Sequence, residues 1–316
     1  MRALLIALGF VFAATACGSS SHTVQRTVYA RGIENMSAFA YDAHGRLWVA
    51  RSGATTHGSD GVYVVAKAGA TPVKAIGRVR GPLGLVWVRG SLYVSTLDGV
   101  YRFSGLTPAN RFTRRTLILR GPVAGAENNN LVLAPNGRLV MGISATCDHC
   151  ANYARPSGSV VSFTTAGQDL KVVATRVRAA CGLVYDGGVL YATMNQRDDL
   201  GAKTPGDLLA IVRNGQDWGF PQCYTQGGAA CTGVPSAVAT LDAHAGAGGV
   251  AVVNGTAIVA EWNLGKVVAV PLGGSKKPFV LATGIAHPLP VIADADGSFL
   301  VGDWGSGVIY RFSGLS

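Results

Sequence analysis

The chain has 316 residues, with 27 Lys and Arg against 17 Asp and Glu and a formal net charge of +10. Only 14% of residues are charged, 48% are apolar and 43 are glycine, a balance that excludes intrinsic disorder, long solvated helices and coiled coils, all of which need charge in bulk. Glutamate occurs only at Glu34, Glu127 and Glu261, and the excess of Gly, Val, Leu and Thr points to strands and tight turns.

Residues 1–16 join an Arg to an apolar run and then to small residues, the pattern of an export leader, too short and wrongly flanked for a spanning helix. Ala14, Thr15, Ala16 and Cys17 resemble a bacterial lipobox, in which cleavage before the Cys leaves it to be acylated. Ordinary leader cleavage with Cys17 incidental is the alternative. Residues 17–23 then read as an acylated Cys and a short tether. The expectation is an exported protein anchored to the membrane through lipid alone, a monomer with no nucleic-acid partner. The basic residues are read as a solvated surface suited to an anionic envelope, with short clusters such as Arg111, Arg114 and Arg115.

From Val24 onward one pattern repeats: an apolar strand, a Gly-containing turn, a second strand rich in apolar residues, a loop and a third strand. The second strands are anchored at Leu47, Leu92, Leu139, Leu190, Ala257 and Phe299, at intervals of 45, 47, 51, 67 and 42 residues. A fourth apolar stretch follows five of the copies, and the sixth, VQRTVYARG, precedes the first copy. That displacement predicts an all-β, six-bladed propeller of four-stranded blades over 24–316, closed by the N-terminal strand pairing in the C-terminal blade. The long fourth interval predicts an insertion in blade four.

Loops entering the inner strands and loops joining second to third strands gather at one mouth of such a ring, where polar residues become site candidates. They include all three glutamates, Asn129, Asn195, His244, Trp262, Asp303 and Trp304. Of the cysteines, Cys147 with Cys150 and Cys223 with Cys231 read as two local disulfides, which export permits. Cys181 is left over in an apolar context and reads as a buried thiol.

The segments LVLAPNGRLVMGISATCDHC, RVRAACGLVYDGG, NQRDDLGAKTPGDLL, NGQDWGFPQCY, AHAGAGGVAV and ADADGSFLVGDWGSGVIYRF together resemble the bacterial glucose/sorbosone dehydrogenases, six-bladed propellers that oxidise sugars with pyrroloquinoline quinone (PQQ) and calcium. The resemblance implies cofactor contacts at Arg178, Asn195, Arg197, Trp218 and His287, and calcium held by backbone carbonyls at Gly201 to Pro205. The family's catalytic His falls on Ala126, so Glu127 or His244 is the replacement base. Two other readings stay open. One is a propeller of the same descent that binds a sugar or another envelope ligand without oxidising it. The other is a calcium-dependent lactonase with Glu34, Asn129, Asn195 and Asp303 around one ion.

Overall fold

Alternating apolar and polar residues give each strand one face for either neighbour, and short Gly turns return the chain antiparallel. In the computed structural model, which describes residues 24–315 apart from 54–57, 122–126, 151–154, 225–228 and 274–276, these strands form six sheets. Blade 1, from the inside outward, is Met36–Tyr41, Leu47–Arg51, Gly61–Val65 and Val73–Gly77. Blade 2 is Gly84–Val88, Ser91–Thr96, Gly99–Leu106 and Phe112–Arg120. Blade 3 is Asn128–Leu133, Leu139–Ile143, Ser159–Phe163 and Lys171–Thr175. Blade 4 is Ala179–Asp186, Val189–Asn195, Gly206–Val212 and Ala239–Ala243. Blade 5 is Ala247–Val253, Thr256–Glu261, Lys266–Pro271 and Phe279–Thr283. Blade 6 takes Pro288–Ala293, Phe299–Asp303 and Val308–Ser313 from the end of the chain, and Gln25–Arg31 from its beginning. The expected closure is present: Gln25 pairs with Ser313 and Arg31 with Val308.

The repeat anchors Leu47, Leu92, Leu139, Leu190, Ala257 and Phe299 are all buried. The apolar core divides into six clusters, one between each pair of adjacent blades. Ala38, Trp48, Val62 and Ile76 of blade 1 meet Leu85, Leu92 and Phe103 of blade 2, and Tyr29, Leu300 and Ile309 of blade 6 meet Met36 and Val49 of blade 1. No blade buries both of its faces without its neighbours.

The long fourth interval is an insertion between the third and outer strands of blade 4. Its Gln216–Asp217 strand joins blade 3 in parallel, beside Ala174 and Thr175. Trp218, read from the sequence as a cofactor contact, is instead 6% exposed in the cluster between blades 3 and 4. The reading is corrected because the added strand carries the indole to the outside of the ring. The disulfide Cys223–Cys231 closes the insertion, and Cys147–Cys150 closes a turn at the mouth of blade 3.

Inner strands approach one another too closely for side chains at a few points. A Cβ on Gly182 would lie 2.4 Å from the Gly248 carbonyl oxygen and 2.8 Å from Thr193 Oγ1, where the Thr193 hydroxyl bridges blade 4 to blade 5. Gly182→Ala is therefore expected to cost about 1–3 kcal/mol through overpacking. Gly58→Ala, with nothing within 4 Å of its Cβ position, should change stability little. Chemical denaturation of the two variants checks the contrast.

Candidate functional site

In five of the six blades the pairing of inner and second strands slips near the mouth, between Met36 and Ala38, Asn128 and Leu131, Ala180 and Leu183, Ala247 and Val250, and Pro288 and Val291. Such bulges re-aim side chains. Here they bring Ser37, Asn129, Cys181, Gly248 and Leu289 to the axis, and Leu83 of blade 2 completes the ring. Together with Glu127, Asn195, Trp262 and Trp304 these residues line a cavity of about 520 Å³. A side cavity of about 290 Å³ shares Glu127, Cys181 and Asn195 with it and adds Ser144, Cys147 and Arg178.

Among the described residues, Glu127 is the one ionisable carboxylate lining the central cavity. Glu127 is exposed at the mouth, yet the protein crowded around its carboxyl strips enough water to hold it above the usual range, and the Arg178 guanidinium opposes this. Arg178 itself is engaged. Its Nε donates to Asp148 Oδ1 at 2.8 Å, and Nη2 lies 2.6 Å from the same carboxylate and 3.6 Å from Asp198. Nη1 has no partner among the described residues. Asp198 continues the chain of charges to His244, whose Nδ1 is 3.0 Å from Asp198 Oδ1. His244 thus stands on the rim beside Asp198 and is not among the residues lining the cavity.

The other candidates separate in the same way. Asn195 lines both cavities, accepts from the Cys181 thiol at 2.6 Å and donates to Asp207 at 2.9 Å. Arg197 turns away to a two-point pair with Asp199 at 2.7 and 2.6 Å and lies over the Tyr224 ring. His287 stacks on Trp262 with ring centroids 4.4 Å apart and reaches the Trp262 carbonyl through Nδ1. It therefore backs the indole that lines the cavity. The Gly201–Lys203 turn sits beside the rim, with Thr204 Oγ1 at 3.5 Å from the Asp198 carbonyl; the Gly201 carbonyl accepts the Thr204 N–H, and Pro205 is buried. Cys17 and Ala126 lie outside the described residues.

The lactonase set does not converge on one ion. Asp303 is buried and accepts from the backbone N–H groups of Ala286, His287, Gly305 and Ser306 and from the Ser306 hydroxyl. Burial pushes its carboxyl up, but the Ser306 hydroxyl and these N–H groups outweigh it and hold it below the usual range. Glu34 lies exposed against Gly307. Asp148, His149 and Asp199 come within 4.8 Å of one another, yet Asp148 is committed to Arg178 and Asp199 to Arg197.

Three residues carry more than the sequence suggested. Cys181 is a free, half-buried thiol in the wall between the two cavities. Burial, followed by the Glu127 and Asp207 carboxylates, pushes it up to about 12. Trp262 and Trp304 meet edge to face at 5.7 Å and form an indole wall; as aromatic residues in mouth loops they were visible in the sequence, but which way they faced was not.

Glu261 is the converse. It is fully buried in blade 5, 3.3 Å from Lys266, which pairs with Asp242 at 2.6 Å. It does not line the cavity. Burial and then Asp242 raise its carboxyl to about 7, against the pull of Lys266. Between the ordinary carboxylate range near pH ~4 and pH 7 the folded state holds a proton that the unfolded state has lost, so stability falls as pH rises through this window. Glu261→Gln should flatten that slope, and denaturation midpoints at pH 5 and pH 8 measure it. An unchanged slope would mean that Lys266 keeps the carboxylate ionised throughout.

No family model matches the chain, and no curated protein matches it. Solved structures do. The PQQ-bound aldose sugar dehydrogenase of Streptomyces coelicolor superposes with a TM-score of 0.76 at 18% identity, over 93% of this chain and 99% of that one. A calcium structure of the carbohydrate-active enzyme family AA12 protein from Trichoderma reesei gives 0.78 at 14% identity, over 94% and 96%. The soluble aldose sugar dehydrogenase of Escherichia coli, in its apo form, gives 0.70 at 15% identity, over 92% and 99%. The chain shares the fold of these proteins along nearly its whole length.

Proposed function

We propose that this protein is an exported, lipid-anchored sugar dehydrogenase of the propeller type, which takes an aldose or related sugar at its mouth and uses PQQ and calcium. The observation that carries the reading is the placement of Glu127 on the wall common to both cavities, lining the central one together with the indole pair and the side one together with Arg178.

The donor set suits a flat polycarboxylate beside a neutral polyol. Arg178 would hold a cofactor carboxylate through Nη1 or in exchange for Asp148. Trp262 and Trp304 offer planar apolar faces to a fused ring or a pyranose. The rim turn at Gly201 to Pro205 would lend carbonyl oxygens to calcium, since a carbonyl that already accepts one N–H keeps a second lone pair. PQQ, when bound with calcium, supplies the acceptor for the hydride leaving the sugar carbon.

This chain's own part in that chemistry is the proton. As the hydride leaves, the sugar O–H must lose H⁺, and Glu127 is the base in the cavity. A carboxyl raised above its usual range holds a proton more tightly and is the better base for it. Asn129, whose Nδ2 donates to Ser144, and Ser37 add polar contacts on the same wall for orienting hydroxyl groups. With Ala126 in place of the family's His, no imidazole competes for this role at that position.

A second reading, sugar binding without oxidation, is favoured by the Arg178–Asp148 pair, which satisfies internally the cation that an anionic cofactor needs. Reconstitution with PQQ and Ca²⁺, followed by the quinone spectrum and by dye reduction across an aldose panel, separates the two. Sugar-dependent reduction supports the dehydrogenase; stoichiometric PQQ binding without reduction leaves only the binding propeller. For an active enzyme, Glu127→Gln should lower kcat by about 10²–10⁴-fold, and Ala126→His should raise the rate. Trp262→Ala should raise KM for sugar about tenfold.

A further inference from the structure

The positive charge of this molecule is concentrated on one sector of the ring. Residues 61–121 hold ten Lys and Arg and a single acidic residue, Asp98, so this segment carries +9 of the chain's +10. It comprises the outer half of blade 1 and the whole of blade 2.

The outer strand of blade 2, Phe112–Arg120, is an edge strand, and Arg114, Arg115 and Arg120 on it are exposed. Arg120 pairs with Gly99 near the mouth, whereas Arg111 precedes the strand at the opposite end. Arg78 and Arg80 extend the stripe at the mouth side, and Arg89 lies on the far-side hairpin. Arg80 has a counterion, Asp98 at 3.6 Å. Arg89, Arg111, Arg114 and Arg120 have no acidic partner among the described residues.

We propose that this arginine stripe docks the propeller against an anionic phospholipid surface. The guanidinium groups are strung along the outer edge of one blade, with Arg111 and Arg120 at opposite ends of its outer strand. Such a layout suits a plane of separate headgroups, each basic residue adding to the attraction within a Debye length. Exposed aromatic side chains that would stack bases are absent from this strand among the described residues, which disfavours single-stranded nucleic acid. The proposed lipid anchor, on which this step rests, would put a membrane within reach.

The full chain carrying Cys17→Ser, so that no acyl chain contributes, is co-sedimented with phosphatidylcholine vesicles with and without 30% phosphatidylglycerol (on the order of the anionic content that gives a substantial surface potential). Stronger partition to the anionic vesicles is expected, lost in high salt. Arg111→Gln, Arg114→Gln and Arg120→Gln together should weaken it by roughly fivefold per residue, while Arg31→Gln, Arg213→Gln and Lys277→Gln together, the same charge removed elsewhere, should weaken it much less. Circular dichroism confirms that both triple variants remain folded. Equal losses in the two triples would overturn the proposal, as would equal partition to the two vesicle types. Binding to duplex DNA as tight as to the anionic vesicles, at equal phosphate and salt, would also overturn it and assign the stripe to nucleic acid.

Discussion

The pairing of Gln25–Arg31 with Val308–Ser313 is the constraint on which the remaining structure depends. A twisted four-stranded sheet has two apolar faces and cannot bury both alone; each blade here completes its neighbour's core, and the six clusters form a closed series. Without the N-terminal strand, blade 6 would present an unpaired edge beside Val308 and Ile309, and Tyr29 would leave the cluster between blades 6 and 1. Closure joins residues nearly a whole chain length apart, so the entropy of bringing them together is offset only when all six interfaces form. The ring is therefore expected to behave as one cooperative unit.

The same constraint creates the site. Six inner strands converging on an axis cannot all carry large side chains, which explains the glycines that face neighbouring backbone at Gly84, Gly182 and Gly249. At the mouth the strands slip register and diverge, and space opens for Asn129, Cys181 and the indoles. Buried carboxylates brace this region. Asp207 takes N–H groups from Gln196 and from Ala247 of the next blade, and Asp60 takes those of Gly53 and Gly81 across blades 1 and 2. Rigid support of this kind lets a mouth built from loops hold a fixed geometry.

The architecture was legible because it repeats. Alternation, turn glycines and the displaced first strand each follow from local rules, and the second-strand anchors fell on equivalent buried positions. The site was legible only by loop. Glu127 and Glu261 occupy comparable mouth loops in sequence, but Lys266 draws Glu261 inward, and no local signal distinguishes them. Trp218 was misplaced because the insertion pairs with blade 3 and not with blade 4, a long-range choice. Cys181 follows an apolar run, so the bulge that turns it to the axis could not be seen before the register was known.

Charge shows how the fold and the surface are linked. The chain has few acidic residues, and many of them are used in the structure itself: Asp42 accepts from the Trp48 indole and Arg46, Asp60, Asp207 and Asp303 bind backbone N–H groups, and Asp148 and Asp198 hold Arg178 at the mouth. A carboxylate that accepts N–H groups inside a turn or between blades cannot also neutralise an arginine on the outside. Blade 2, with Asp98 as its one acidic residue, is left with guanidinium groups that face water unpaired. Burying carboxylates for structure thus gives the ring two electrical regions, a mouth whose Arg178, Arg197 and Lys266 are each paired with carboxylates and an outer edge whose charges await a partner.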